Sequence, residues 1–394
     1  MSAHRPEIKV ATLQHLQKRK SEKWRAFPRD ILPMPFAVMD FELAEPIKDA
    51  ITQLIQDSDA GYLGEIPELG ENFSRFASNR WGWSVAPKEV RIAPDVGVAV
   101  IEVARLIAKP GEKIIINTPV YYNFFNWIAE IRSLPLDLPL LPPKSLGDPY
   151  RLDLNLIESG YRDGAKVHIL CHPHNPVGSI YPDEDLHQLA ELAGKYGVTI
   201  LSDEIHSPLI YEADRYRPFL SISNTARDVG ISFVSATKAF SFAGLKCAQI
   251  VAQSERSEAI LNRLPHAIHS RASLYGAIAS SVAYGQCEPW LDAVINYLDG
   301  ARHHLATLIS EKLPGVIYCK PDAGYFGWLD LRSVLKEGEI DDVSKLMIKH
   351  GKIAVASGAL YGPGGRGFIR INFATSSEIL EDAIDRIAAA LSRI

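Results

Sequence analysis

Val234-Ser-Ala-Thr-Lys-Ala-Phe-Ser-Phe-Ala-Gly-Leu-Lys246 is the stretch on which the reading of this chain turns. It closes an apolar run, Ile231–Val234, and Lys238 follows at once among hydroxyl residues. A lysine leaving a strand end in apolar surroundings can have a lowered pKa and act as an amine nucleophile. Taken alone, a surface lysine after a strand is the simpler reading. Ser235, Thr237 and Lys246 add hydroxyl and ammonium donors suited to an anion, which a surface turn does not need.

Two stretches upstream repeat the pattern of an apolar run that ends in polar groups. Val198-Thr-Ile-Leu-Ser-Asp-Glu-Ile-His206 ends in acids, and Ile169-Leu-Cys-His-Pro-His-Asn-Pro-Val-Gly178 runs into a proline-rich turn. In an open parallel sheet, ligands bind beyond the carboxyl ends of the strands, so Asp203, His206 and Asn175 would share a rim with Lys238. Read singly, they are a helix cap, a core histidine and a turn.

Further out, Lys113–Ile116, Val167–Cys171, Val198–Ser202, Ile231–Val234 and Ala248–Ala252 read as buried strands. Val96–Ala108 and Asp185–Gly194 show helical apolar spacing between them. This is the rhythm of an α/β domain with a mostly parallel sheet flanked by helices. Residues 1–45 are charged and then punctuated by prolines, which predicts a helix and an extended arm. The α/β domain takes 46–285. Long amphipathic stretches (Trp290–Leu313, Asp341–His350, Ser377–Leu391) around the strands Tyr325–Leu331 and Gly367–Phe373 predict a smaller α+β domain over 286–394.

The 394 residues allow two or three domains at about 150 residues each. Lys plus Arg number 42 against 47 Asp plus Glu, and the net charge of −5 offers no general attraction for nucleic acid or an anionic membrane. The expected partner is a small molecule. Cys171, Cys247, Cys287 and Cys319 form no C-x-x-C pair, so neither a metal site nor a disulfide framework is indicated and buried reduced thiols are expected. The charged N-terminus and the lack of an ~18-residue apolar run lead us to expect a cytoplasmic protein.

H-N-P-V-G, S-D-E-I-H and S-A-T-K-A-F-x-x-A-G-L-K, in this order, resemble the fold-type I enzymes dependent on pyridoxal phosphate (PLP), the aspartate aminotransferase superfamily, and the resemblance covers nearly the whole chain. His206 three residues after Asp203, the A-G-L-K ending and the early M-D-F are most similar to MalY/PatB-type cystathionine β-lyases, also called cysteine-S-conjugate β-lyases. Ordinary aminotransferases usually carry a tyrosine where His206 stands.

The resemblance implies a role for each residue. Lys238 would hold PLP covalently and its freed amine would move the Cα proton. Asp203 would pair with the pyridine nitrogen, the partner expected for a PLP electron sink. Asn175 would donate to the ring 3′-oxygen and lie near the substrate carboxylate, and His206 would stand near the same ring oxygen. Tyr121, in T-P-V-Y-Y, would stack on the ring, and its hydroxyl would help the leaving group depart. Ser235, Lys246 and the backbone of Val96 and Gly97 at a helix start would hold the phosphate. Tyr62, in D-A-G-Y-L-G, would reach the phosphate of a neighbouring subunit, which implies a homodimer. Arg370, in G-F-I-R-I-N-F, would bind the substrate α-carboxylate with both oxygens on one guanidinium.

Two positions depart from the relatives. Asp95 stands where glycine is common in the phosphate loop, and an acid there is tolerable if its side chain caps the helix. Val38 replaces an aspartate of the early arm motif. The implied activity is elimination of a thiol from an S-substituted L-cysteine, leaving pyruvate and ammonia. An aminotransferase acting on an L-amino acid is the alternative, and a regulatory PLP-binding protein or another specialised PLP enzyme stands behind both.

Overall fold

Seven short runs meet in one sheet: β1 (Val90–Ala93), β2 (Lys113–Ile116), β3 (Leu134–Asp137), β4 (Val167–Cys171), β5 (Thr199–Asp203), β6 (Gly230–Val234) and β7 (Ala248–Val251). They belong to a computed structural model that describes residues 6–145 and 147–393. The order across the sheet is β1-β7-β6-β5-β4-β2-β3. β7 runs antiparallel to both its neighbours. All other pairings are parallel.

Every residue of β4, β5 and β6 is buried. Such strands carry no alternation because helices cover both faces. In β2 the two faces separate cleanly: Ile114 and Ile116 pack in one core cluster, and Ile115 packs in the other. The helices include α1 (Glu45–Gln56), α2 (Pro67–Trp81), α3 (Val96–Ile107), α4 (Asn123–Glu130), α5 (Asp183–Tyr196), α6 (Leu274–Gln286), α7 (Glu288–Lys312) and α8 (Ser377–Leu391); a further nine-residue helix, Leu154–Arg162, and shorter helices and turns lie between them. Among the described residues, no helix is long and apolar enough to cross a membrane.

The sequence reading located five of these strands and missed β1 and β3. Val90-Arg-Ile-Ala is too polar to stand out, and Leu134-Pro-Leu-Asp carries a proline. Pro135 is tolerated because β3 is an edge strand bonded only to β2.

Toward the C-terminus, β8 (Ile317–Tyr318), β9 (Phe326–Asp330), β10 (Ala356–Ser357) and β11 (Phe368–Asn372) form an antiparallel sheet in the order β10-β11-β9-β8. The single helix expected over Asp341–His350 does not form. In its place stand a 3₁₀ segment (Glu337–Asp342), one α-turn (Val343–Leu346) and a π-turn (Met347–Gly351). The wide last turn seats Gly351 against α8, where any Cβ would run into the Arg386 carbonyl. The thiols also depart slightly from expectation: all four are free, but Cys319 is only half-buried.

The arm begins with one helical turn (Leu13–Leu16) and a 3₁₀ turn (Glu22–Trp24). Leu32–Pro33 then pairs in parallel with Ile353–Ala354, so the arm rests on the C-terminal part of the chain. Lys23 fixes it from within: its ammonium, 1% exposed, bonds Asp40 Oδ2 at 2.8 Å and the Val38 carbonyl at 3.2 Å. Removing one member of a buried pair leaves an uncompensated charge and costs about 3–5 kcal/mol. Lys23→Met is therefore expected to lower the urea unfolding midpoint, and Lys23→Met/Asp40→Leu to recover most of the loss. An unchanged midpoint in the single variant would show that the pair does not hold the arm.

Candidate active site

The parallel strands deliver their polar ends to one rim. β6 ends at Val234, and Ser235 caps the single helical turn Ala236–Ala239 that carries Lys238. The Lys238 ammonium donates to the Ala37 carbonyl of the arm at 3.2 Å. Burial, then the nearby charges of Arg370 and Lys246, lower its pKa to about 8 against the opposing pull of Asp203 and Asp95.

Asp203 is the last residue of β5 and is buried, with Oδ1 accepting the Ile205 amide at 3.2 Å. Burial pushes its carboxyl up to about 7, against the Ile205 amide and Lys238. A buried carboxyl so sparsely compensated favours a cation beside it. The protonated ring nitrogen of PLP is such a cation, so the residues present fit the cofactor expected from the sequence.

Asn175 follows β4, and Arg370 stands in the middle of β11. Arg370 Nη1 donates to Asn175 Oδ1 at 2.9 Å, and Nη2 donates to the Pro35 carbonyl at 2.7 Å. Its guanidinium lies 3.9 Å from the Phe326 ring centroid and 5.2 Å from that of Tyr361. Nε is buried with no partner among the described residues. Because Asn175 accepts from Arg370 through Oδ1, its amide nitrogen stays free to donate elsewhere.

Tyr121 is close enough to feel the charges of both Arg370 and Asp203, although burial is what chiefly holds its phenol far above the usual range. Its oxygen accepts from Asn123 Nδ2 at 2.7 Å, leaving the phenol proton free to donate. His206 is buried with Nδ1 unpartnered, edge-on to Phe326 at 5.6 Å. Burial, with Lys238 and Arg370 nearby, lowers its pKa to about 3, so the imidazole is neutral.

At the start of α3, Asp95 takes the cap that its sequence position suggested. Its Oδ1 accepts the Val98 amide at 2.8 Å, and its Oδ2 meets the Lys246 ammonium at 3.0 Å. The Val96 and Gly97 amides are the ones the helix leaves over. The Ser235 hydroxyl donates to the Cys247 carbonyl at 2.7 Å rather than facing outward. Tyr62 stands apart from these residues: it is 96% exposed, on a cleft with Leu274 and Ile278 of α6.

The sequence reading did not find the backbone of the arm. Asn372 Nδ2 donates to the Phe36 and Val38 carbonyls at 2.7 and 2.8 Å, beside the Arg370 and Lys238 contacts. Val38 contributes its carbonyl, so loss of an acidic side chain there leaves these bonds intact. Tyr361 was also missed. Its signal was the glycine-rich A-L-Y-G-P-G-G run, whose Gly362, at φ +117°, packs so tightly on Thr118 that no Cβ fits.

The chain matches the model of the family described as aminotransferase class I and II over residues 37–387. It is 33% identical over 374 residues to the cystathionine beta-lyase PatB of Bacillus subtilis, with 92% of this chain and 93% of that protein covered. A cystathionine beta-lyase of Corynebacterium glutamicum is 32% identical over 386 residues, with 98% and 100% covered. The solved structure of the PLP-bound C-S lyase from Staphylococcus hominis matches with a TM-score of 0.86 at 26% identity, covering 94% of this chain and 96% of that one. A doubly covered parallel sheet with a lysine, an aspartate, an asparagine and an arginine gathered at its rim agrees with these matches: the chain belongs to the aminotransferase class I and II family, with the PLP-dependent fold type I.

Proposed function

We propose that this protein is a PLP-dependent carbon–sulfur β-lyase that cleaves S-substituted L-cysteines to a thiol, pyruvate and ammonia. The relatives that bear the names cystathionine beta-lyase and C-S lyase support the reaction class. The observation that carries the reading is the meeting of a half-buried, weakly basic Lys238 with Asp203 and Arg370 in one cleft.

When bound, PLP supplies an electron sink that acidifies the substrate Cα–H bond and lets the Cβ–S bond break. Lys238 is the residue that would hold it, with Asp203 against the ring nitrogen, Tyr121 on the ring face, and Asn175 and His206 toward the ring oxygen. Val96 and Gly97 amides, Lys246 and Ser235 would face the phosphate, Ser235 by turning its hydroxyl from Cys247. Arg370 takes the substrate α-carboxylate: its unpartnered Nε and the displaceable Pro35 carbonyl leave room for both oxygens. Asn175 steadies the guanidinium from the other side. With the carboxylate fixed, the Lys238 amine is placed to remove the Cα proton, and the Tyr121 phenol to donate to the departing sulfur.

The arm 1–45, a cofactor domain 46–285 and a closing domain 286–394 are the division we assign to the chain. Tyr62 would complete the phosphate site of a second copy, and its full exposure beside α6 supports a homodimer.

Incubation with L-cystathionine and S-alkylcysteines is expected to release thiol and pyruvate in equal amounts. Failure to release either from all of them, with a cofactor form restored by a 2-oxo acid, would assign the site to amino transfer instead. Lys238→Ala is expected to abolish turnover.

Cofactor capture by Lys238 requires the neutral amine. With its pKa lowered to about 8, the neutral form dominates above pH 8 rather than only above the ordinary lysine range. The rate at which cofactor-free protein takes up PLP is expected to rise with a midpoint near pH 8 and to level off between about pH 9 and 10; a rise continuing past pH 10 would contradict a lysine of this kind. For the dimer, sedimentation is expected to give twice the 43.6 kDa chain mass, with Tyr62→Phe retaining PLP several-fold less well. An active monomer would overturn that part.

A further inference from the structure

We infer that Trp127 is a further cofactor-binding residue, donating its indole N–H to the PLP phosphate beside the Val96 and Gly97 amides. The inference rests on the phosphate site proposed above. What prompts it is a shortage of donors. The phosphate end offers one ammonium, Lys246, and that ammonium is already engaged by Asp95 at 3.0 Å. Asp95 also occupies the Val98 amide, and the Ser235 hydroxyl is turned to Cys247. A phosphate of about −1.5 to −2 charge set near a carboxylate gains most from neutral donors, which bring no competing acid with them.

Trp127, on α4, is such a donor. It is 9% exposed, stacked on Phe124 at 4.9 Å and T-shaped to Tyr121 at 6.0 Å. Among the described residues its Nε1 takes part in no hydrogen bond. Unlike the indole nitrogens of Trp24 and Trp328, which are sealed without a partner among the described residues, Trp127 Nε1 reaches open space, where a ligand can meet it.

Gly97 shows where that N–H lies. A Cβ at Gly97 would stand 2.9 Å from both Nε1 and Cζ2 of Trp127, so the polar edge of the indole fills the place of a side chain on the second residue of α3. A helical Cα–Cβ bond tilts toward the helix N-terminus. The indole N–H is therefore set at the end of α3 where the leftover amides emerge, next to the Tyr121 ring assigned to the cofactor face. Gly97 is required here because any side chain would displace the indole.

The alternative is that Trp127 only fills space behind Tyr121. Trp127→Phe separates the two, because it keeps an aromatic ring and removes the N–H. Binding of PLP and of pyridoxal, which lacks the phosphate, is to be compared in wild-type and variant protein freed of cofactor. The variant is expected to bind PLP at least about tenfold more weakly and pyridoxal unchanged. Equal weakening for both ligands, or none, overturns the role of Trp127. A wild-type protein with no preference for PLP over pyridoxal overturns the phosphate site itself. If the variant does not fold, the Trp127 indole ¹H–¹⁵N resonance of the wild type serves: a shift with PLP but not with pyridoxal supports the contact, and the same response to both refutes it.

Discussion

Two cations, the buried Arg370 and the half-buried Lys238, make no direct contact with a carboxylate among the described residues, and the way the arm compensates them governs the site. An unpaired charge in a protein interior costs several kcal/mol. Here the compensation comes from peptide oxygens of the arm and, for Arg370, from Asn175 Oδ1 as well. Pro35 O accepts from Arg370, Ala37 O from Lys238, Phe36 O from Asn372, and Val38 O from both Asn372 and Lys23. An irregular segment has to place its backbone acceptors somewhere. This one places two of them, Pro35 O and Ala37 O, on the two side chains proposed to act on the substrate, Arg370 and Lys238. Neutral acceptors stabilise a guanidinium less than a carboxylate does, so an incoming amino acid can displace Pro35 at small cost. A resident acid would compete with it.

The opposite sign is kept beneath the cleft. Asp203 and Glu204 are adjacent, and burial pushes each carboxyl up to about 7, yet they serve different ends. Successive side chains near a strand end point to opposite faces. Glu204 accepts from the Tyr216 hydroxyl at 2.6 Å and the Phe219 amide at 3.2 Å, so it is absorbed by the core. Asp203 has the Ile205 amide and little else. The less satisfied of the two is the one a cationic ring nitrogen would complete, and the overall charge of −5 bears on neither.

What the sequence made legible follows from the range of the interactions involved. Strands β4, β5 and β6 could be read because burial on both faces leaves an uninterrupted apolar run, and their polar ends located Asn175, Asp203 and Lys238. The cap of Asp95 on α3 is a contact across three residues and could be foreseen. The contact of Lys246 with Asp95 joins residues 151 apart and that of Ser235 with Cys247 residues 12 apart, and both alter what each side chain has left to offer. The arm was hardest to read, because it acts through carbonyls that any residue supplies. Met347–Gly351 failed as a regular helix for a similar reason: its apolar spacing was sound, but the approach of Gly351 to α8 set the geometry.

The proton inventory of the cleft bears on why sulfur is the atom expelled. His206 is held neutral, and the Tyr121 phenol is held protonated far above its usual range, so neither is a strong acid at neutral pH. A general acid works best with a pKa near the working pH; Lys238, at about 8, would become such an acid only once it has taken the Cα proton, and His206 and Tyr121 would add little toward expelling hydroxide or an alkoxide. A thiol has a pKa of about 8.5, and its anion leaves with little protonation. A hydrogen bond from Tyr121, whose proton Asn123 leaves free, is enough for such a leaving group. In the proposed reaction an amine that is neutral above about pH 8 would remove the Cα proton, and a good leaving group at Cβ would then favour elimination over return of a proton elsewhere.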